Sequence, residues 1–143
     1  MEGVDGAIRK AAGFDKVIGL LDPFIKIGGI QTGQAIITPG GSLSAKYIIW
    51  TAGPIYKDGM HDESNKLASA YRNCVKMAVE YDLRSIAFPF ISTGVYGFPK
   101  QPACKIAINS IRTTLAESDH SLDVLFVLFS QEDLELFINT LSK

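Results

Sequence analysis

The sequence predicts an α/β domain, and three observations carry that prediction. Short apolar, β-branched runs alternate along the chain with segments in which apolar residues recur every three or four positions. A length of 143 residues fits one unit with a real core, so residues 1–143 are expected to form a single domain. Hydrophobic residues at 47% and charged residues at 20% give a globular composition, not a disordered, fibrous or membrane-spanning one.

The elements follow in order. In "EGVDGAIRKAAG", Gly3 and Gly6 flank Val4 and Asp5 ahead of a short helix containing Ala7, Ile8, Ala11 and Ala12. Asp5 then falls near a helix N-terminus. Its structural reading is a cap worth about 0.5–2 kcal/mol. Its functional reading is an acceptor for sugar hydroxyls or an activator of water, and spacing alone leaves both open. Gln34 to Thr38 and Lys46 to Thr51 read as neighbouring strands, and the turn-rich "PGGSLSA" between them suits a hairpin. From Asp62 to Tyr81, the stripe Leu67, Ala70, Tyr71, Cys74, Val75 and Ala78 marks a helix covering a sheet face.

Ser85 to Ile91 is apolar on consecutive positions, as expected for an interior strand covered on both sides, with a bulge or edge near Pro89. A second amphipathic helix carries Ala103, Ile106, Ala107, Ile111, Thr114 and Leu115, takes Pro102 in its first turn and runs to about Glu117. Val124 to Phe129 reads as another fully buried strand. Ser130, with Asp133 three residues on, then caps a helix whose stripe is Leu134, Phe137, Ile138 and Leu141.

Between the first of these buried strands and the helix that follows it lies "ISTGVYGFP". Open α/β sheets bind ligands at the carboxyl ends of their strands. Gly94 and Gly97 can adopt positive φ and let amides converge on an anion, for which phosphate is the natural guest. Ser92 and Thr93 add hydroxyls, while Tyr96 and Phe98 offer flat apolar faces, a mixture suited to a nucleotide-like molecule. Taken alone, Gly-x-x-Gly is equally an ordinary strand-to-helix turn. It lacks the Gly-Lys-Ser/Thr ending of a P-loop and the Gly-x-Gly-x-x-Gly of a dinucleotide fold.

Composition excludes other classes. Fourteen basic against fifteen acidic side chains, with no basic run, disfavour a nucleic-acid partner. Cys74 and Cys104 lie far apart without Cys-x-x-Cys spacing and read as reduced packing residues of a cytoplasmic protein. His61 and His120 read as exposed loop histidines without partners at metal-ligand spacing, so neither a metal nor a cofactor is expected. The start has no apolar h-region and no run of about 18 apolar residues occurs, which disfavours secretion and a membrane partner.

Three separated motifs resemble the macro domain, the ADP-ribose-binding module. "GVDGAIRKAAG" is similar to that family's first ligand loop and following helix. "GGIQTGQAIITPGGSLSAKYIIWTAGP" is similar to its Thr-Gly, strand and Gly-Pro block, and "FPFISTGVYGFP" to its diphosphate loop. Their order and spacing agree, and the resemblance covers essentially the whole chain. It implies a three-layer α/β/α fold with helices on both faces of the sheet. It also implies a ligand site in which Ser92, Thr93, Gly94, Val95, Tyr96, Gly97 and Phe98 wrap the diphosphate and distal ribose. Gly3, Val4, Asp5, Gly6 and Ile8 line the other side of that cleft, and Phe129 and Ser130 approach the adenosine.

The departures matter too. Family members usually precede the first loop with strands and an Asn-Ala-Ala-Asn segment, so the resemblance implies an N-terminally shortened domain. Arg9 and Trp50 stand where many hydrolytic relatives carry histidine. The resemblance therefore implies either a hydrolase of ADP-ribose esters or ADP-ribosylated side chains, with Asp5 as the catalytic residue, or a non-catalytic ADP-ribose reader. A remnant with an incomplete site is a third class. A shortened start predicts that the remaining strands pair directly, or that copies assemble through exposed sheet edges.

Overall fold

The computed structural model describes residues 30–142. Strands β1 (Ala35–Pro39) and β2 (Tyr47–Thr51) form the expected hairpin, antiparallel, with Ala35 opposite Thr51 and Pro39 opposite Tyr47. Its connection is closed by Gly40 N donating to Lys46 O at 3.0 Å. A Cβ on Gly40 would lie 2.0 Å from Ala45 O, so the turn requires glycine there. Inside the hairpin, the buried Trp50 donates through Nε1 to Thr38 Oγ1 at 2.9 Å. That bond satisfies two polar groups which burial would otherwise penalise.

Helix α1 (Glu63–Glu80) buries the whole predicted stripe, from Leu67 to Ala78. It is followed by β3 (Ser85–Phe88), helix α2 (Lys100–Ala116), β4 (Asp123–Phe126) and helix α3 (Gln131–Leu141). β3 stops short of the predicted Ile91 because Pro89 has no N–H to continue the ladder. β3 and β4 pair in parallel, Ser85 with Asp123 through Phe88 with Phe126, and Val127 N closes the last rung on Phe88 O at 2.8 Å. Pro102 sits in the first turn of α2, and Ser130 Oγ caps α3 by accepting from Asp133 N at 3.2 Å.

The main core joins α1, α2 and one face of the parallel pair: Leu67, Tyr71, Cys74 and Val75 meet Phe88, Ala103, Ala107 and Ile111. Ile86, Val124 and Phe126 pack against this cluster, while Ser85, Ala87, Asp123 and Leu125 alternate to the exposed side. Among the described residues, helical cover of both strands is seen on one face. All three described helices lie on one side, and Leu125, Val127 and Phe129 are 53%, 65% and 103% exposed. The predicted stripe of α3 is likewise only partly used. Phe137 packs against Cys104 and Ile108, whereas Leu134, Ile138 and Leu141 stay exposed. The helix reaches the core along one edge.

The two strand pairs are separate sheets spanned by α1, so the predicted direct pairing of the remaining strands is not made among the described residues. Each pair is held by packing on the helix, and no hydrogen bond joins β2 to β3.

Candidate ligand-binding site

Because β3 and β4 are parallel, the segments that follow them leave the sheet at the same edge, and the segment after β2 meets them there. A Cβ on Gly53 would come within 2.4 Å of Ser92 Oγ and 2.6 Å of Ile91 Cγ2, so the chain after β2 touches the start of the glycine loop directly. At the loop's far side, Tyr56 N donates to Tyr96 O at 2.9 Å, and the Tyr56 and Phe98 rings pack at a tilt of 59° with centroids 4.9 Å apart. From below, the buried Tyr71 hydroxyl accepts from Ile91 N at 3.0 Å. Burial pushes that phenol's pKa up, which keeps it neutral.

Within the loop, Phe98 N donates to Ser92 O at 2.9 Å and Gly97 N to Gly94 O at 3.0 Å. Thr93 donates through Oγ1 to Phe90 O at 2.8 Å. The left-handed residues are Ser92 at φ 67° and Gly97 at φ 72°; the left-handed place expected for Gly94 is taken by Ser92. Among the described residues, these bonds leave three consecutive amides, Gly94, Val95 and Tyr96, without a hydrogen-bond partner. A Cβ on Gly94 would meet nothing within 4 Å, so the space before those amides is open. Val95 is 82% exposed, Tyr96 is half-buried, and Phe98 is buried behind the loop.

Of the other predicted site residues, Ser130 is the α3 cap and Phe129 is fully exposed at the end of the segment after β4. Topology brings both to the loop's edge of the sheet. Lys100 Nζ on Asp133 Oδ1 at 2.8 Å ties the starts of α2 and α3 together there. Gly3, Val4, Asp5, Gly6 and Ile8 lie outside the described residues.

Glu63 escaped the sequence reading. Its carboxylate is buried and accepts four amides: Oε2 from Lys57 at 2.8 Å, Asp58 at 3.2 Å and Gly59 at 3.1 Å, and Oε1 from His61 at 2.7 Å. Those amides, Lys57 first, pull its pKa down to about 2 against the opposing effect of burial. His61 is an exposed loop residue as expected, but the expectation of no partner at metal-ligand spacing is corrected, since Nδ1 lies 2.8 Å from Asp58 Oδ1. Asp58, His61 and Glu63 bring potential metal-ligand atoms within 4.8 Å of one another. Both Glu63 oxygens face amides, however, and Asp58 Oδ1 also accepts Met60 N, so the group serves to fold residues 57–61. His120 is corrected similarly: it is part-buried, with Nε2 on Leu83 O and Nδ1 3.4 Å from Asp82 Oδ1.

The architecture is an α/β one in which a glycine-containing loop follows a parallel strand and precedes a helix. The family model described as Macro domain matches residues 1–107. A macro domain-containing protein of Ralstonia nicotianae is 48% identical over 141 residues, covering 99% of this chain and 78% of that protein. A Salmonella typhimurium protein named O-acetyl-ADP-ribose deacetylase is 43% identical over 145 residues, covering 99% and 79%. Among solved structures, the Oceanobacillus iheyensis macrodomain with ADP has a TM-score of 0.89 at 38% identity, covering 98% of this chain and 75% of that one. The Trypanosoma brucei macrodomain in complex with ADP-ribose has a TM-score of 0.82 at 35% identity, covering 97% and 56%. The chain belongs to the macro domain family.

Proposed function

We propose that this chain binds ADP-ribose, with its diphosphate against the 92–98 loop, and hydrolyses ADP-ribose derivatives such as O-acyl esters or mono-ADP-ribosylated side chains. The observation that carries the reading is the run of three amides at Gly94, Val95 and Tyr96 that no described residue bonds, with open space where a Gly94 Cβ would project. An anion there gains several donors at once and needs no arginine or lysine. Relatives support the choice of ligand: the Trypanosoma brucei structure is titled as a complex with ADP-ribose and the Salmonella protein is named a deacetylase. In this reading Tyr96 faces the distal ribose, Phe129 and Ser130 approach the adenosine, and Gly3, Val4, Asp5, Gly6 and Ile8 close the opposite side.

Hydrolysis rests on Asp5, which would position a water for attack on the ester or anomeric carbon while the loop amides stabilise negative charge nearby. A reader without turnover is the second reading. It is favoured by the composition of residues 92–98, which contain no carboxylate and no imidazole. Calorimetric titration should show ADP-ribose binding more tightly than AMP, because the loop addresses a diphosphate and second ribose; equal or stronger AMP binding would overturn the cleft assignment. Asp5→Ala should reduce turnover of O-acetyl-ADP-ribose far more than ADP-ribose affinity. A variant that loses only thermal stability would make Asp5 a cap and the protein a reader.

A further inference from the structure

We infer that Glu63 is a positioning residue for the ligand loop, acting through Tyr56; the inference rests on the ADP-ribose reading of that loop. Residues 57–61 are exposed, Met60 included, and Gly59 and Asp62 are left-handed at φ 81° and 62°. Such a segment has little packing of its own to select one path. The Glu63 carboxylate supplies the selection, gathering four of its amides onto two buried oxygens. The first of those amides belongs to Lys57, directly after Tyr56.

Tyr56 is thereby held between two partners. On one side, its hydroxyl lies so near Gly59 that a Cβ there would sit 2.9 Å from it. On the other, its amide bonds Tyr96 O and its ring packs on Phe98. Tyr96 O shares its peptide plane with Gly97 N, whose bond to Gly94 O closes the turn carrying the three amides, so the shape of that turn depends on a contact whose far end Glu63 fixes. A glutamine at position 63 would turn an NH2 group toward one set of amides and release that set.

The test pairs Glu63→Gln with Tyr56→Leu, singly and combined, each checked for folding by circular dichroism. ADP-ribose affinity is measured well below the thermal midpoint, and exchange of the Gly97 and Phe98 amides is followed by NMR without ligand. Glu63→Gln should weaken binding about tenfold and speed that exchange, and adding it to Tyr56→Leu should cost little more. Unchanged affinity and exchange in a folded Glu63→Gln protein, or full additivity of the two changes, would overturn the inference. If Glu63→Gln does not fold, Tyr56→Leu decides alone: unaltered loop exchange would sink the proposed path, and faster exchange would support it. Should the unaltered protein bind no ADP-ribose, the functional reading fails, while the exchange arm still decides whether Glu63 sets the loop.

Discussion

Two glycines in one loop have opposite reasons to be glycine. Gly97 sits at φ 72°, where a side chain strains the backbone, whereas Gly94 has open space where a Cβ would project. Gly94→Val should therefore keep stability within about 1 kcal/mol, since it meets no neighbour and no left-handed backbone, yet abolish ADP-ribose binding by filling the space before the amides. Gly97→Val should instead lose about 1–3 kcal/mol of stability. Thermal melts and calorimetry on both variants check this. Normal binding by Gly94→Val would place the diphosphate elsewhere. The loop's local chemistry was readable because glycines, hydroxyls and aromatics adjoin in sequence. Its supports were not: Gly53, Tyr56, Glu63 and Tyr71 act from 20 or more residues away. One signal was available for Tyr71, since a tyrosine in a fully buried helix stripe needs a partner for its hydroxyl.

At the scale of elements, residues 57–61 ahead of α1 are gathered by a buried carboxylate. Glu63 has its carboxyl near 2 in the folded protein against 4.5 for the free side chain. A depressed pKa means that the ionised form is the one the fold favours. Its contribution is thus fully present above about pH 4.5 and is lost as pH falls from there toward 2. Urea midpoints of the unaltered protein and Glu63→Gln, compared at pH 7, 4 and 3, should converge as pH drops; a constant gap would show that the carboxylate is not the source. Elsewhere, element boundaries were legible wherever local chemistry sets them. Pro89 ends β3, Ser130 caps α3, and the Gly40 turn forms the hairpin. Coverage of the strands was less legible, because an unbroken apolar run such as "VLFVLF" does not say which of its two faces the helices will take.

Across the whole molecule, the two thiols report on two bodies of core. Cys74 lies on α1 in the main cluster with Leu67, Tyr71 and Phe88, whereas Cys104 lies on α2 in a smaller cluster closed by Phe137 of α3. Both are free and buried, and burial pushes the Cys74 thiol up to about 12 and the Cys104 thiol upward as well. Thiolate, the reactive form, is scarce in each while the fold is closed. Their covers differ in strength. Cys74 is enclosed by α1, α2 and the parallel strands, but among the described residues α3 brings one buried aromatic and the half-buried Leu136, with the Ser130 cap and the Lys100–Asp133 contact, and leaves Leu134, Ile138 and Leu141 exposed. Segments with few buried apolar contacts open at lower free energy than the core. Pulsed alkylation in rising urea, read by mass spectrometry of the two cysteine peptides, should therefore modify Cys104 before Cys74. Phe137→Ala should move the Cys104 transition to lower urea by more than that of Cys74. Simultaneous labelling of both thiols, in the unaltered protein and the variant alike, would mean that α3 opens only when the main core does.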